Sequence, residues 1–494
     1  MFFGTPIATI EAMTFIRKVK TASGATAVQL AYKKYGQIVR IDHIGSAHTE
    51  EDLSTLIALA KQRLLGGQQS LFTENTSPLK ISLKQSVSRL LLEVLTEQYN
   101  SLGFGQLEDK IFTYLCLARI VEPTSKLDSL RVLAELGVTG LSKNRLYRCL
   151  GQVISKDYRS IITKQCFAHA TAKGISLVLY DATTLYFEVQ EADDYRKSGM
   201  SKERRLEPQI IVGLLVDQHG FPLGLHSFQG NTAETTTILP VVEAFKKQHG
   251  LQNITVVADA AMLSSKNLEA LTQAGYAYIV GSRLHKIPYD IADYQKTKEL
   301  TDKQIITTQL KGGQRIIYQY RKKRAMLDLH NIEIQVAKAE KIISGKTATK
   351  KAKFLSVKMK EKKLNQTLID KAKALAGVKG YVTNLAIPDE QVIASYHQLW
   401  HVEQAFRMSK SDLKARPIFH HKRDSIEAHL TIVFAALAIG RSIEYLTGIS
   451  IKRFIKTVRP IRSGIVTING KEYQTEAEIP PKVMPLIRRL KSGY

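Results

Sequence analysis

The sequence predicts an α/β fold, a mixed β-sheet with helices on both faces, interrupted by an inserted subdomain and preceded by a mainly helical region. Three observations carry this. Residues 175–282 follow the order β-β-β-α-β-α-β, three adjacent strands and then alternation. Residues from about 83 to 170 repeat their apolar positions at helical spacing instead. Between 286 and 376 the rhythm breaks into charge-rich, Gly-punctuated sequence, which is how an insertion inside an α/β core looks.

The elements follow in order. Within 1–75, ATAVQLAYKKYGQIVRIDHIG alternates like strands, with Lys33-Lys34-Tyr35-Gly36 able to close a hairpin. Region 76–170 holds the helical runs SVSRLLLEVLTEQY and EDKIFTYLCLARI, then SLRVLAELGVTGLSKNRLYRCLGQV, two helices around a Gly-containing turn with Ser142 as cap. In 171–285, ISLVLYDATTLYF is an apolar strand. Strands 209–217 and 221–229 form a hairpin turning at His219-Gly220, and TTTILPVVEAFKKQHG is a helix. ITVVADA is a short buried strand, SKNLEALTQAG a helix, and YAYIVGS a further strand. This strand order is that of the RNase H-like fold. Region 286–376 is a basic insertion, β-rich at first and helical or mobile later. The core resumes over 377–446 with GYVTNL, a long helix near 389–410 and an apolar helix at 426–446. A basic tail, expected to be partly mobile, fills 447–494.

Charge gives the first functional clue. Among 494 residues there are 71 Lys and Arg against 45 Asp and Glu, a formal net charge of +26, and the pI is near 9.7. A polyanionic partner accounts for such an excess, because cations that neutralise phosphates release condensed counterions. Lys143, Asn144, Arg145 and Arg148 follow the Ser142 cap, and in a helix-turn-helix they would face DNA. An ordinary αα-hairpin with a solvated basic face fits the same residues. Three scattered cysteines, Cys116, Cys149 and Cys166, give neither a zinc motif nor a disulfide framework. The leading MFFGTPIATIEA lacks a basic segment, and the apolar run around Leu430–Gly440 is shorter than the roughly 20 residues a membrane span needs. A cytoplasmic protein, with no membrane partner, is expected.

Three acids concentrate the chemistry. Asp181 and Asp259 each fall where a strand is expected to end, the edge at which open α/β sheets bind ligands. Two carboxylates on adjacent strands repel unless a cation neutralises them, and hard divalent ions prefer oxygen ligands. A turn or N-cap role explains either Asp taken alone. Asp217 also ends a strand, but His219 and Gly220 beside it point to a hairpin turn. Glu403 lies in ASYHQLWHVEQAFRMSKSDLKARP, where positions seven apart nearly superpose, so Tyr396, Glu403 and Lys410 share a face. Arg407 follows one turn later, and on spacing alone a salt-bridged surface helix fits that pattern better.

Four segments together resemble a known family: YDATTLYFE around Asp181, FQGNTAET at 228–235, VVADAAMLS around Asp259, and YHQLWHVEQAFRMSKSDLKARPIFHH at 396–421. They are similar to bacterial insertion-sequence transposases of the DDE class, in the group with a long insertion before the catalytic Glu. The resemblance covers about 175 to 440. The family's helix signature is Tyr-x2-Arg-x3-Glu-x6-Lys, and Tyr396, Glu403 and Lys410 supply three of its positions while Leu399 stands at the Arg. The resemblance implies a catalytic triad of Asp181, Asp259 and Glu403 holding two Mg²⁺ or Mn²⁺ ions, with Asp181 shared between them. It implies cleavage at transposon ends and transfer of the freed 3′-OH into target DNA. Tyr396, Arg407, Lys410 and Arg416 would hold phosphates, the last with weaker support. Its partners would be double-stranded DNA, terminal inverted repeats and target, and a second copy of the chain on paired ends, in a bacterial nucleoid. Relatives stack a flipped base on an insertion tryptophan. Here the only tryptophan is Trp400, outside the insertion and read as core, leaving Tyr318 or Tyr320 as substitutes.

Three other readings compete. A metal-dependent nuclease would cut without joining, an inactive descendant would only bind DNA, and a basic RNA-binding scaffold would leave the ordered acids unexplained.

Overall fold

The computed structural model describes residues 13–22, 24–65, 81–188, 191–199, 207–251, 254–260, 265–282, 284, 288–348, 352–358, 361–468 and 470–491. The leading MFFGTPIATIEA and the end of the VVADAAMLS motif (261–264) lie outside the described residues. The chain divides into two compact units, Met1–Ile81 with Ile468–Gly470, and Ser82–Thr467 with Lys471–Tyr494.

The first unit is an antiparallel sheet of β1 (Met13–Lys20), β2 (Thr26–Lys34) and β3 (Gln37–Ala47), followed by helix α1 (Glu50–Leu65). Tyr35 and Gly36 both take left-handed φ (52° and 82°) at the β2–β3 turn, the conformation two-residue hairpin loops require. Val28 and Leu30 alternate onto one face of β2 and pack with Ala60, Leu53 and Leu56 of α1.

The second unit opens with β4 (Ile81–Val87) and helices α2 (Arg89–Ser101), α3 (Lys110–Val121), α4 (Ser129–Glu135), α5 (Lys143–Ser155) and α6 (Tyr158–Thr171). Asp109 caps α3 by accepting the N–H groups of Ile111 and Phe112 at 3.0 Å each. Ser142 caps α5 through the N–H of Arg145.

The centre is an eight-stranded sheet built from β5 (Val178–Tyr186), β6 (Gln209–Asp217), β7 (Pro222–Gln229), β8 (Thr255–Ala258), β9 (Ala277–Ser282), β10 (Ile305–Gln309), β11 (Arg315–Tyr320) and β14 (Val378–Thr383). Its order is β10-β11-β14-β9-β8-β5-β6-β7. β5–β6 and β6–β7 are antiparallel, whereas β5–β8 and β8–β9 are parallel. The three-strand meander followed by parallel additions on its other side is the RNase H-like arrangement. Helices α7 (Ile238–His249) and α8 (Ser265–Gln273) make the parallel crossovers. Every residue of β6 is buried, so the sheet is covered on both faces there.

After β9 comes α9 (Tyr289–Thr297), and the insertion begins by widening this sheet: β10 and β11 pair antiparallel and β11 pairs with β14. It then leaves the sheet as α10 (Lys322–Ile343), the hairpin β12 (Leu355–Lys358) and β13 (Glu361–Leu364), and α11 (Gln366–Ala374). The long helix expected near 389–410 is broken. Helix α12 (Asp389–His397) and helix α13 (Trp400–Arg407) meet at Gln398-Leu399, and a π-helical turn spans Met408–Asp412. The break follows from tightened bonds, His401 N–H to Gln398 O at 2.9 Å and Val402 N–H to Leu399 O at 3.1 Å. Arg315 of β11 anchors the start of α12 through Asp389 at 2.6 Å.

Helix α14 (Arg423–Thr447) is long and apolar enough to cross a membrane, yet 89% of its apolar window is buried inside the protein. Leu430–Gly440 are buried without exception, with α3, α5 and β7 among the elements packed on the helix. The C-terminal stretch, expected to be partly mobile, carries secondary structure among its described residues. It forms α15 (Ile451–Val458), β15 (Ser463–Ile468), β16 (Lys471–Thr475) and α16 (Met484–Lys491), and β15 pairs with β4. Strand β4 offers it backbone partners from the far end of the sequence, and Ile487 and Leu490 of α16 are buried.

Candidate active site

Strand pairing brings the two aspartates together. Val178, Leu179 and Tyr180 of β5 stand opposite Val256, Val257 and Ala258 of β8. One further step puts Asp181 beside Asp259, and residues in register on neighbouring strands point to the same face. The expected strand ending holds for Asp259, which follows β8, but not for Asp181, because β5 runs on to Tyr186 paired with β6. What ends at Asp181 is the parallel partner, leaving an open notch beside a continuing strand.

The third acid arrives on the broken helix. α12 contacts β14, β9 and β8, and α13 contacts β5 and β6, so the pair crosses the sheet toward β5. Glu403 is exposed on α13, and among the described residues no ion pair joins it to Arg407, as a salt-bridged surface helix would require. Arg407 is itself exposed. Tyr396, buried at the end of α12, donates its phenol to Asp259 Oδ1 at 2.8 Å. Burial, and then Asp259, push that phenol above its ordinary range. Lys410 donates to Thr183 Oγ1, two residues beyond Asp181 and on the same face of β5. The structure therefore groups Asp181, Asp259, Tyr396 and Lys410 on one sheet face, with Glu403 on the helix above it.

Sequence reasoning missed the basic side of this site. Lys379 of β14 places Nζ 4.3 Å from the Tyr396 ring centre. Burial lowers its ammonium from the ordinary range and Arg324 adds to this, while Asp259 and Glu403 act in the opposite sense. Lys379 thus lies within electrostatic reach of both acids. Arg324, in the first turn of α10, also acts on Tyr396 and His397. The run Arg321-Lys322-Lys323-Arg324 is visible in the sequence as charge, but only the β11–β14 pairing brings it here.

The other expected residues fall as follows. Leu399, at the family's Arg position, is 8% exposed and belongs to the main core. Arg416 lies past the π-helical turn, its guanidinium 5.3 Å from the Tyr186 ring centre at the far end of β5. Lys143, Asn144, Arg145 and Arg148 are exposed on α5, whose Leu146, Cys149, Leu150 and Val153 are buried. They stand on a different element from the acids. Asp217 is a turn residue, accepting N–H groups of His219 and Phe221 at 2.8 Å each. Trp400 is 49% exposed rather than core, and Tyr318 is buried at 6% and so offers no free stacking face.

Three carboxylates are a hard-oxygen donor set suited to Mg²⁺ or Mn²⁺. Among the described residues no three acids, histidines or cysteines are yet close enough to hold an ion together. Asp259 is instead engaged by Tyr396 and by the N–H of Ala260 at 2.7 Å. The donors fit the ion in kind.

An RNase H-like sheet with an acid pair beside its central strand and a third acid on a crossing helix defines a class, the DDE-type nucleic-acid enzymes. A family model described as the transposase DDE domain matches residues 172–439, more than half of the chain, and the chain belongs to that family. Transposition and DNA recombination are the processes that membership assigns to it. Among solved structures, the chain is similar to a piggyBac transposase synaptic complex with hairpin DNA, at 11% identity and a TM-score of 0.41, covering 78% of this chain and 82% of that one. A search of curated proteins gives no match.

Proposed function

We propose that this transposase cuts DNA at transposon ends and joins the freed 3′-OH to target DNA, using Asp181, Asp259 and Glu403. The observation that supports the reading is the parallel β5–β8 register, whose next positions are Asp181 and Asp259, with α13, the helix that carries Glu403, packed on β5 and β6. Asp181, Asp259 and Glu403 would together hold the divalent ions, two of them by the resemblance. When bound, such ions activate the attacking oxygen and stabilise the leaving one. The chain's own residues do the positioning. Tyr396 fixes the rotamer of Asp259 by its hydrogen bond. Lys410, held at Thr183, presents its charge on the face of Asp181, where a phosphate would lie. Lys379, with Arg324 acting on it, supplies positive charge beside Asp259 and Glu403, and exposed Arg407 would reach flanking phosphates.

The exposed face of α5, with Lys143, Asn144, Arg145 and Arg148, would take duplex DNA. Its partners are the terminal inverted repeats and target DNA, and two copies acting on paired ends fit a reaction that joins two ends. A bacterial insertion sequence and a nucleoid location complete the reading.

The test is an assay with an end duplex carrying a free 3′-OH and a supercoiled target. Joined product from the wild-type chain, absent with Asp181→Ala, Asp259→Ala or Glu403→Gln, is expected. Cleavage without joining would reduce the protein to a nuclease, and end binding without cleavage to an inactive descendant.

A further inference from the structure

We infer that a second anion site, outside the acid site and built to receive a DNA backbone phosphate with its adjoining nucleotide, lies between α5 and the segment after the π-helical turn. The inference rests on the DNA-processing reading above and extends it to a cavity which that reading does not use. The cavity has a volume of about 500 Å³, within the size range of small-ligand clefts (about 300–1,000 Å³). Arg119, Lys126, Lys414, Arg416, His420 and His429 are among its lining residues, and none of the lining residues is acidic.

Its floor is unusual in charge. Arg119 and Lys126 are 7% and 5% exposed. Lys126 Nζ lies 3.1 Å from His429 Nδ1, while His429 Nε2 donates to Ala415 O at 3.1 Å. Nε2 therefore carries a proton, and burial, Lys126 and Arg119 hold the ring well below its ordinary range, so His429 adds no negative charge beside Lys126. Burial lowers Lys126 far below its ordinary range and Arg119 adds to it; burial lowers Arg119 to about 10. The other titratable group acting on both is the buried Cys116 thiol, which burial pushes well above its ordinary range. A guanidinium and an amine withdrawn from water beside each other, without a carboxylate, carry charge together only at a cost while no anion is bound. An anion entering the cavity removes that penalty, so the site favours a ligand of negative charge.

The position selects the ligand. Tyr147, on the exposed face of α5, and Phe419 are 47% and 65% exposed, so two aromatic faces stand at the mouth for a base to stack on. The other wall is tied to the catalytic strand, since Ile418 N–H donates to Tyr186 O at 3.1 Å. Tyr186 is about 17 Å along β5 from Asp181, at roughly 3.3 Å per residue. A strand of DNA lying on α5 thus meets the cavity before it reaches the acids.

The test uses the full chain and a fluorescein-labelled duplex of 40 base pairs, with affinity measured across salt concentration. Lys126→Met keeps the volume and removes the buried charge. It is expected to melt at the same or a higher temperature, to bind several-fold more weakly, and to lose roughly 0.9 from the salt slope, one phosphate contact. Lys414→Gln, exposed at the mouth, should weaken binding in the same sense and decides the matter alone if Lys126→Met does not fold. Unchanged affinity and slope in the folded variants would overturn the site, as would protection of the cavity by inorganic phosphate without any effect on duplex binding. A wild-type chain that binds no duplex would sink the DNA reading itself, and this inference with it.

Discussion

The phenol of Tyr396 and the carboxylate of Asp259 are joined by a 2.8 Å hydrogen bond that links the end of α12 to the end of β8. Sequence places these residues 137 apart, and no local pattern couples them. A hydrogen bond to a charged group is worth about 1.5–3 kcal/mol. Tyr396→Phe is therefore expected to slow end cleavage roughly tenfold or more while leaving duplex affinity nearly unchanged. Single-turnover cleavage alongside a binding titration checks the split. Equal loss in both would make Tyr396 a DNA contact instead.

Gly281 protects the same bond. A Cβ there would lie 2.6 Å from the Tyr396 hydroxyl and 3.1 Å from Ala260. Gly281→Ala should displace the phenol, costing about 1–3 kcal/mol in stability and most of the cleavage activity. Combined with Tyr396→Phe, its effect on activity should be clearly less than additive. Simple addition of the two losses would show that the contact is not shared.

Leu399 departs from the family's Arg for a reason in the packing. It is buried in the main core at the α12–α13 break. Leu399→Arg would place an unpaired charge there and should destabilise the fold by about 2 kcal/mol or more, seen as a lower Tm. A stable, more active Leu399→Arg chain would contradict this placement.

On α5, Arg145 and Arg148 are exposed while Leu146 and Cys149 point inward. Arg145→Gln with Arg148→Gln should leave stability within about 0.5 kcal/mol and reduce the salt slope of duplex binding by up to roughly 1.8, two phosphate contacts. No change in slope would return α5 to an ordinary solvated hairpin.

Glu427 gives a pH prediction. It is largely buried, paired with Arg159 at 2.7 Å, and accepts from Tyr195 and from Ser227 at 2.7 Å. Burial pushes its carboxyl up, but Arg159 and the hydroxyl donors outweigh this and hold it below its ordinary 4.5. Its contribution is complete above about pH 4.5 and is lost as pH falls through the lower folded value. Glu427→Gln should cost about 2–3 kcal/mol at neutral pH and flatten the acid limb of a Tm–pH curve. An acid limb identical to wild type would place the titrating group elsewhere.

Much of the core was legible along the chain. The hairpin at His219-Gly220, the cap at Ser142 and the β-β-β-α-β-α-β order are local features of period and turn chemistry, and the family match over 172–439 agrees with the four motifs. Less was legible about the long helix. Its sequence carries an unbroken helical pattern, whereas the break at Gln398-Leu399 arises where Leu399 turns into the core. The elements of the tail were not legible for a similar reason. β15 finds its partner in β4, hundreds of residues earlier, and composition cannot register a partner that distant.

The sequence by itself determined which acids could act, because residue type, order and flanking strands are local properties of the chain. Only the tertiary structure decided how their elements are arranged. Asp181 proved to lie within its strand, and it is the ending of β8 that opens the space beside it. The same holds for Lys379 and the buried Arg119–Lys126 pair, which carry no motif. Their meaning comes from desolvation and from neighbours supplied by other elements, and neither exists until the sheet and helices have packed.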